Sequence, residues 1–210
     1  MKLLIVAATA PEINLLIKHF DLPDADFIET ADFDVLITGV GMTATAFALG
    51  RHLNPKYDLV LNLGIAGSFD LSLALGSLVN VVSDTFSELG AEDHDRFLPI
   101  ETLGFGKSSY HSTGGPATAI LDELPRVKGI TVNKVHGNAD SIRQAVTSFQ
   151  PVAESMEGAA VFYAAAQLQI PAIQIRSISN YVEPRNREKW QIGPAIASLN
   201  RWAIRFLTNA

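Results

Sequence analysis

Hydrophobic residues in this chain gather into short unbroken runs, and the segments between the runs carry helical spacing. The runs Lys2–Ala8, Asp34–Thr38, Leu59–Leu63, Leu78–Val82, Ile130–Val135 and Ala172–Ser177 are apolar without strict alternation. A strand covered on both faces reads this way, because neither set of its side chains meets water. Pro11–Phe20 opens with proline in a first helical turn. Ala44–Leu53 repeats Ala, Phe and Leu at helical spacing, and Asp140–Phe149 sets Ile142, Ala145 and Val146 on one side. Gly158–Gln167 is Ala-rich, and Ile192–Leu207 aligns Ile196, Leu199, Ala203 and Leu207 on one stripe. Strands alternating with helices predict an α/β fold: a three-layer α/β/α sandwich around a largely parallel, mixed sheet. Asp84–Tyr110 reads as a long connection with short strands near the rim of a site, and Ser112–Pro116 as a Gly-rich turn.

Composition narrows this picture. At 210 residues with 48% hydrophobic and 18% charged, the chain is expected to form a single domain over 1–210 with a sizeable core. Its 16 Lys and Arg against 22 Asp and Glu leave a formal charge of −6, which argues against a nucleic-acid or anionic-membrane partner. Cysteine is absent, which excludes disulfides, a thiol nucleophile and thiolate metal ligands, and fits a cytoplasmic protein. The apolar start Leu3–Ala10 is too short for a signal peptide and runs straight into Pro11-Glu12, so a buried strand is the better reading. No apolar run approaches the roughly 18 residues that span a bilayer.

Four strand ends carry unusual residues, and in parallel sheets ligands sit at such ends. Thr9-Ala10-Pro11-Glu12 fits a capping box, with Glu12 stabilising its own helix start, and equally a general base held at a strand end. Thr38-Gly39-Val40-Gly41-Met42-Thr43-Ala44 fits G-x-G-x-x-A, but the next strand, Leu59–Leu63, ends in Leu63-Gly64 with no acid for a ribose. A tight turn that aims backbone N–H groups at something polar explains it better than NAD. In Leu63-Gly64-Ile65-Ala66-Gly67-Ser68 small residues let the backbone approach a flat ligand. Last, Glu157 precedes the Ala-rich helix, where compensating the helix dipole is its simplest role, and Asn180 sits before Tyr181 as a turn residue would. Each feature alone is ordinary; their recurrence at four strand ends is not. The consecutive acids and histidine Glu92-Asp93-His94-Asp95 suit a solvated loop better than a metal, and no G-x-S-x-G elbow is present.

On these motifs the chain resembles the nucleoside phosphorylase and nucleosidase superfamily from Met1 to about Leu207, through Thr38-Gly39-Val40-Gly41, Asn62–Gly67, Ser155–Ala160 and Arg176–Asn180. Within it, Leu89–Asp93, Val135–Asn138 and Ser179–Asn186 look like the futalosine hydrolase family, which releases hypoxanthine from futalosine in menaquinone biosynthesis. The resemblance implies a nucleoside phosphorylase-like fold and an N-glycosyl hydrolase acting on a small-molecule purine nucleoside, without metal or organic cofactor. By position, Glu12 matches the residue that activates water, Glu157 the carboxylate on the ribose hydroxyls, Met156 a contact to the sugar and Asn180 the purine-contacting residue. Ile65, Ala66, Gly67 and Ser179 match the lining of the base pocket. Relatives form dimers or larger assemblies, which implies a homo-oligomer.

Asn180 stands where adenine-specific relatives carry Asp. Its amide donates to O6 and accepts from a protonated N7, so a 6-oxopurine is expected. Phosphorylases of the superfamily often carry Gly-Asp-Pro-x-Arg after the first strand. Here the loop is Ala8-Thr9-Ala10-Pro11-Glu12, whose carboxylate repels phosphate, so hydrolysis is favoured, with Arg51 and Arg96 as phosphate ligands if phosphorolysis occurs. Futalosine also bears a benzoate, for which Arg185 and Arg187 are candidate partners. The alternatives are a purine nucleoside phosphorylase, a methylthioadenosine/S-adenosylhomocysteine nucleosidase and, more distantly, an NAD(P)-binding oxidoreductase.

Overall fold

The computed structural model describes residues 1–94, 96–114 and 119–209. The chain runs β1 (Leu3–Ala7), a 3-10 turn (Ala10–Ile13), α1 (Asn14–His19), β2 (Phe27–Glu29), β3 (Phe33–Ile37), α2 (Met42–His52), β4 (Leu59–Ser68) and β5 (Leu78–Phe86). It continues through β6 (Gly90–Asp93), β7 (Arg96–Pro99), β8 (Ser109–His111), α3 (Ala119–Asp122), β9 (Arg126–Thr131) and α4 (Ala139–Phe149). The last elements are β10 (Ala153–Ser155), α5 (Gly158–Gln167), β11 (Ala172–Tyr181), a second 3-10 turn (Arg187–Lys189) and α6 (Ile192–Asn209).

The sheet is mixed, in the order β10-β9-β5-β11-β4-β1-β3-β2, with β8 added on β5. One face packs Ile5, Leu61, Leu63 and Ile173 against Leu16 of α1 and Leu199, Trp202 and Phe206 of α6. The other packs Leu4, Val60 and Ala172 against Leu49 of α2 and Val161, Phe162 and Ala165 of α5. This is the expected α/β layering. The unbroken apolar runs arise because α6 and α5 exclude water from both faces of the same strands.

At one end the sheet departs from a plain sandwich. Strand β10 pairs with β9 in parallel and with β4 antiparallel, so β4, β11, β5, β9 and β10 close on themselves. Ala66, Val79, Val81, Val127, Ala153 and Ile178 fill the interior of that closure. The apolar run read from the sequence ends at Leu63. Strand β4 continues to Ser68, because β11 runs beside it through Tyr181 and supplies its hydrogen bonds. The Ile130–Val135 run shifts toward the N-terminus and becomes β9. The Asp84–Tyr110 segment contains the β6–β7 hairpin, the short β8 and, at its start, part of β5. Of the acid-rich loop, Glu92, Asp93 and His94 are exposed, and Asp95 lies outside the described residues, as do Gly115 and Pro116 of the Ser112–Pro116 turn. No described helix is long and apolar enough to cross a membrane.

Candidate active site

Glu12 makes the capping box and also reaches a second strand end. Its Oε2 accepts from the Thr9 backbone N–H at 3.0 Å and from the Thr9 hydroxyl at 3.1 Å, which is the capping box. Its Oε1 reaches across to β4, where the Ile65 N–H donates at 3.2 Å. The turn itself is pinned from α6: Asn200, 1% exposed, donates to the Glu12 carbonyl at 2.8 Å and accepts from the Leu16 N–H at 2.9 Å.

Glu157 is the N-cap residue of α5, but its side chain makes no cap bond to its own helix. Its Oε1 accepts instead from the Gly41 N–H at 2.9 Å. Gly41 adopts φ 95°, a left-handed conformation that side chains with a Cβ strain to reach, and so turns that N–H toward the carboxylate. The glycine turn is therefore a support for Glu157. Burial raises the Glu157 pKa above the ordinary carboxylate value, as does the nearby charge of Glu12, while Arg176 and the Gly41 N–H oppose the rise.

Arg176 is the residue that links these groups, and the sequence assigned it no role. It lies on β11 opposite Gly64 of β4 and is only 2% exposed. A Cβ on Gly64 would fall 2.4 Å from Arg176 Nη1 and 3.1 Å from Glu12 Oε1, so glycine makes room for cation and carboxylate over one backbone position. Arg176 Nε and Nη2 are buried with no hydrogen-bond partner among the described residues. Buried donors left this way are costly, which marks a place built to receive acceptors. The signal lay in the sequence: an arginine within the apolar run Ala172–Ser177.

Below Arg176 sits a second buried acid. Asp84 accepts from Gln174 Nε2 at 2.9 Å and from the Thr131 hydroxyl at 2.9 Å, and Thr131 in turn accepts from the Ala159 N–H at 2.8 Å. That chain ties β5, β9 and β11 to the first turn of α5, just after Glu157. Burial pushes Asp84 up to about 6, against the pull of Gln174, Thr131 and Arg176.

Asn180 stands at the end of β11, beside Gly67, after a bulge between Ile178 and Asn180 that re-aims the strand end. The Ser179 hydroxyl donates to Asn180 Oδ1 at 2.8 Å and Asn180 Nδ2 donates to the Tyr181 carbonyl at 3.1 Å, which fixes the amide. A Cβ on Gly67 would meet Nδ2 at 3.1 Å, so the amide lies over that glycine. Ile65 offers its N–H to Glu12, whereas the Ala66 side chain packs inside the closed strands. Ser179 is buried and Met156 half-buried beside Glu157. The other sequence candidates lie elsewhere: Arg51 stacks on Phe47 of its own helix at 5.7 Å, and Arg96 belongs to the β6–β7 hairpin. Arg185 and Arg187 both lie over the Trp190 ring, at 5.2 and 5.8 Å. Among the described residues no group of three or more His, Asp or Glu could hold a metal ion.

Glu12 and Glu157 thus lie around the buried guanidinium of Arg176, with the Asn180 carboxamide farther along β11 in an α/β fold. Residues 2–208 match the family model of the phosphorylase superfamily, and the chain belongs to that superfamily. A futalosine hydrolase of Streptomyces coelicolor is 32% identical, the match covering 95% of this chain and 92% of the relative. A 5'-methylthioadenosine/S-adenosylhomocysteine nucleosidase of Colwellia psychrerythraea is 27% identical, covering 86% and 84%. In fold, the native futalosine hydrolase of Helicobacter pylori superposes with a TM-score of 0.84 at 16% identity, over 100% of this chain and 98% of that one. The H. pylori 5'-methylthioadenosine/S-adenosylhomocysteine nucleosidase with butyl-thio-DADMe-Immucillin-A gives the same TM-score and identity, over 100% and 99%.

Proposed function

We propose that this protein is a purine nucleoside N-glycosidase that uses water as nucleophile, with futalosine as its substrate and hypoxanthine as the released base. The relatives support the N-glycosyl hydrolase class. The observation that carries the reading is the convergence of Glu12 and Glu157 on buried Arg176, with Asn180 beyond them at Gly67.

Breaking an N-glycosidic bond builds positive charge on ribose and negative charge on the departing base. Glu157 holds the ribose hydroxyls and favours the cationic sugar through its own charge. Met156 packs against the sugar. Glu12, whose Oε1 faces Gly64 and Arg176, takes a proton from the attacking water, and the unpartnered nitrogens of Arg176 supply donors to orient it. Asn180 donates to O6 of the base and accepts from N7 as the base leaves, over the floor made by Ile65, Ala66, Gly67 and Ser179.

Hydrolysis is favoured over phosphorolysis because two carboxylates already lie near Arg176. Arg185 and Arg187, carried by the loop after β11, are the cations available to the benzoate. The chain 1–210 acts as one catalytic domain in cytoplasmic menaquinone biosynthesis. Homo-oligomerisation uses the face on which Phe47 of α2, 68% exposed, and Tyr163 of α5, 41% exposed, lie on packed helices. The deciding experiment is mass spectrometry of products after incubation with futalosine, inosine or methylthioadenosine, with and without phosphate. Free ribose-type product from futalosine without phosphate supports the proposal, and strict dependence on phosphate overturns the hydrolytic part.

A further inference from the structure

One acid–histidine pair takes no part in the chemistry above. Glu154 of β10, its side chain 3% exposed, turns both carboxylate oxygens on a single residue. Oε1 accepts from the His136 backbone N–H at 3.0 Å, and Oε2 meets His136 Nδ1. The His136 ring is further held edge-on by Phe69, at 6.3 Å between centroids. It lines a cavity of about 780 Å³, and its Nε2 has no partner among the described residues.

The register places this pair across from Asn180. Glu154 is opposite Gly67 on one side of β4, and Asn180 is opposite Gly67 on the other. Directly paired residues share a face, so Glu154 and Asn180 flank Gly67 on one face, two strand spacings apart, about 9.6 Å, and a Val182 methyl covers Gly67 between them. The Asn180 amide lies beside that methyl over Gly67. The segment that carries His136 is joined to the one that follows β11, since the Arg185 N–H donates to the Gly137 carbonyl at 3.3 Å.

We propose that His136, oriented by Glu154, reads the edge of the base opposite Asn180 and selects a purine that carries a hydrogen at N1. This rests on the purine nucleoside reading of the site. A carboxylate only accepts, so the Nδ1 that meets Glu154 carries the hydrogen. In the neutral ring Nε2 then presents a lone pair. A 6-oxopurine offers N1–H to it, whereas adenine offers a second lone pair. Asn180 and His136 thus discriminate in the same direction from opposite edges, and Glu154 is the positioning residue that fixes the tautomer.

Glu154→Gln tests this with little change of shape. Its amide keeps the acceptor for the His136 N–H and turns a donor toward Nδ1, which moves the ring hydrogen to Nε2. Calorimetric binding of hypoxanthine, 1-methylhypoxanthine and adenine, with kcat/KM for inosine and adenosine, reads the result. The wild-type protein is expected to bind hypoxanthine roughly 10- to 100-fold more tightly than the N1-methylated base. Glu154→Gln is expected to shift the hypoxanthine-to-adenine ratio toward adenine by a similar factor. His136→Phe, which keeps a ring in place, removes the penalty for N1 methylation and stands in if the first variant does not fold. Indifference of the wild type to N1 methylation, or an unchanged base ratio in a folded Glu154→Gln, overturns the assignment while leaving the glycosidase reading intact. A protein that neither binds nor cleaves any purine overturns both.

Discussion

Glu12→Gln separates the two duties of one carboxylate. Oε2 serves the Thr9 backbone and hydroxyl, at 3.0 and 3.1 Å, and Oε1 serves the Ile65 N–H at 3.2 Å. A glutamine has one acceptor oxygen, so whichever side receives the amide nitrogen sets donor against donor. Losing one such half-buried bond costs about 1 kcal/mol, which lowers Tm by about 2–4 °C in a chain of this size. If Glu12 only capped its helix, that would be the whole effect. If it takes a proton from water, kcat falls by about 10²–10⁴-fold as well. Thr9→Ala is the control: it removes the 3.1 Å hydroxyl bond but leaves Oε1 beside Gly64, so it is expected to lower Tm comparably and to keep turnover within about tenfold. The assay is release of base followed by chromatography, with thermal melts of the same samples. A Glu12→Gln protein with wild-type kcat and a slightly lower Tm would falsify the general-base assignment and leave the capping box as the residue's sole function.

Gly64→Ala drives a methyl to within 2.4 Å of Arg176 Nη1, so the buried guanidinium must move; turnover is expected to fall about 100-fold or more, checked by kcat alongside near-UV circular dichroism. Asp84 sits at about 6 in the folded protein against an ordinary 3.8, so between those values the folded chain keeps a proton that the unfolded chain releases. Stability should therefore fall as pH rises from about 4 to 6, by at most about 3 kcal/mol, and level off above; denaturant midpoints across that range should lose the slope in Asp84→Asn. Asn180→Asp is expected to move the inosine-to-adenosine ratio of kcat/KM toward adenosine by roughly 10- to 100-fold, and an unchanged ratio would remove Asn180 from base recognition. Phe47→Glu places a charge on the exposed α2 face and is expected to lower the oligomeric state in light scattering; a variant that keeps the wild-type mass argues for a different interface.

The alternation of apolar runs with helical segments was enough to define the α/β layering, because strands covered on both faces by α5 and α6 carry apolar side chains on both sides over most of their length. Local chemistry marked Glu12, Glu157 and Asn180 because unusual residues recur at four strand ends, although each alone has an ordinary structural use. What periodicity misses is anything made by pairing in three dimensions. The closure of β10 onto β4 adds a strand only three residues long, below the length at which alternation can be read. Arg176 was visible as a charge in an apolar run, yet its partners Gly64 and Glu12 come from other strand ends, and Asp84 looked like the start of a loop until Gln174 and Thr131 closed around it. Local sequence thus determined which segments become strands and helices and which residue types stand at their ends. Only the tertiary structure decided that Glu157 answers to Gly41, that Glu12 shares Gly64 with Arg176, and that Glu154 and Asn180 flank Gly67, because hydrogen bonds and charges act through space over a few ångströms while the sequence sets their partners far apart, Gly41 and Glu157 by 116 residues.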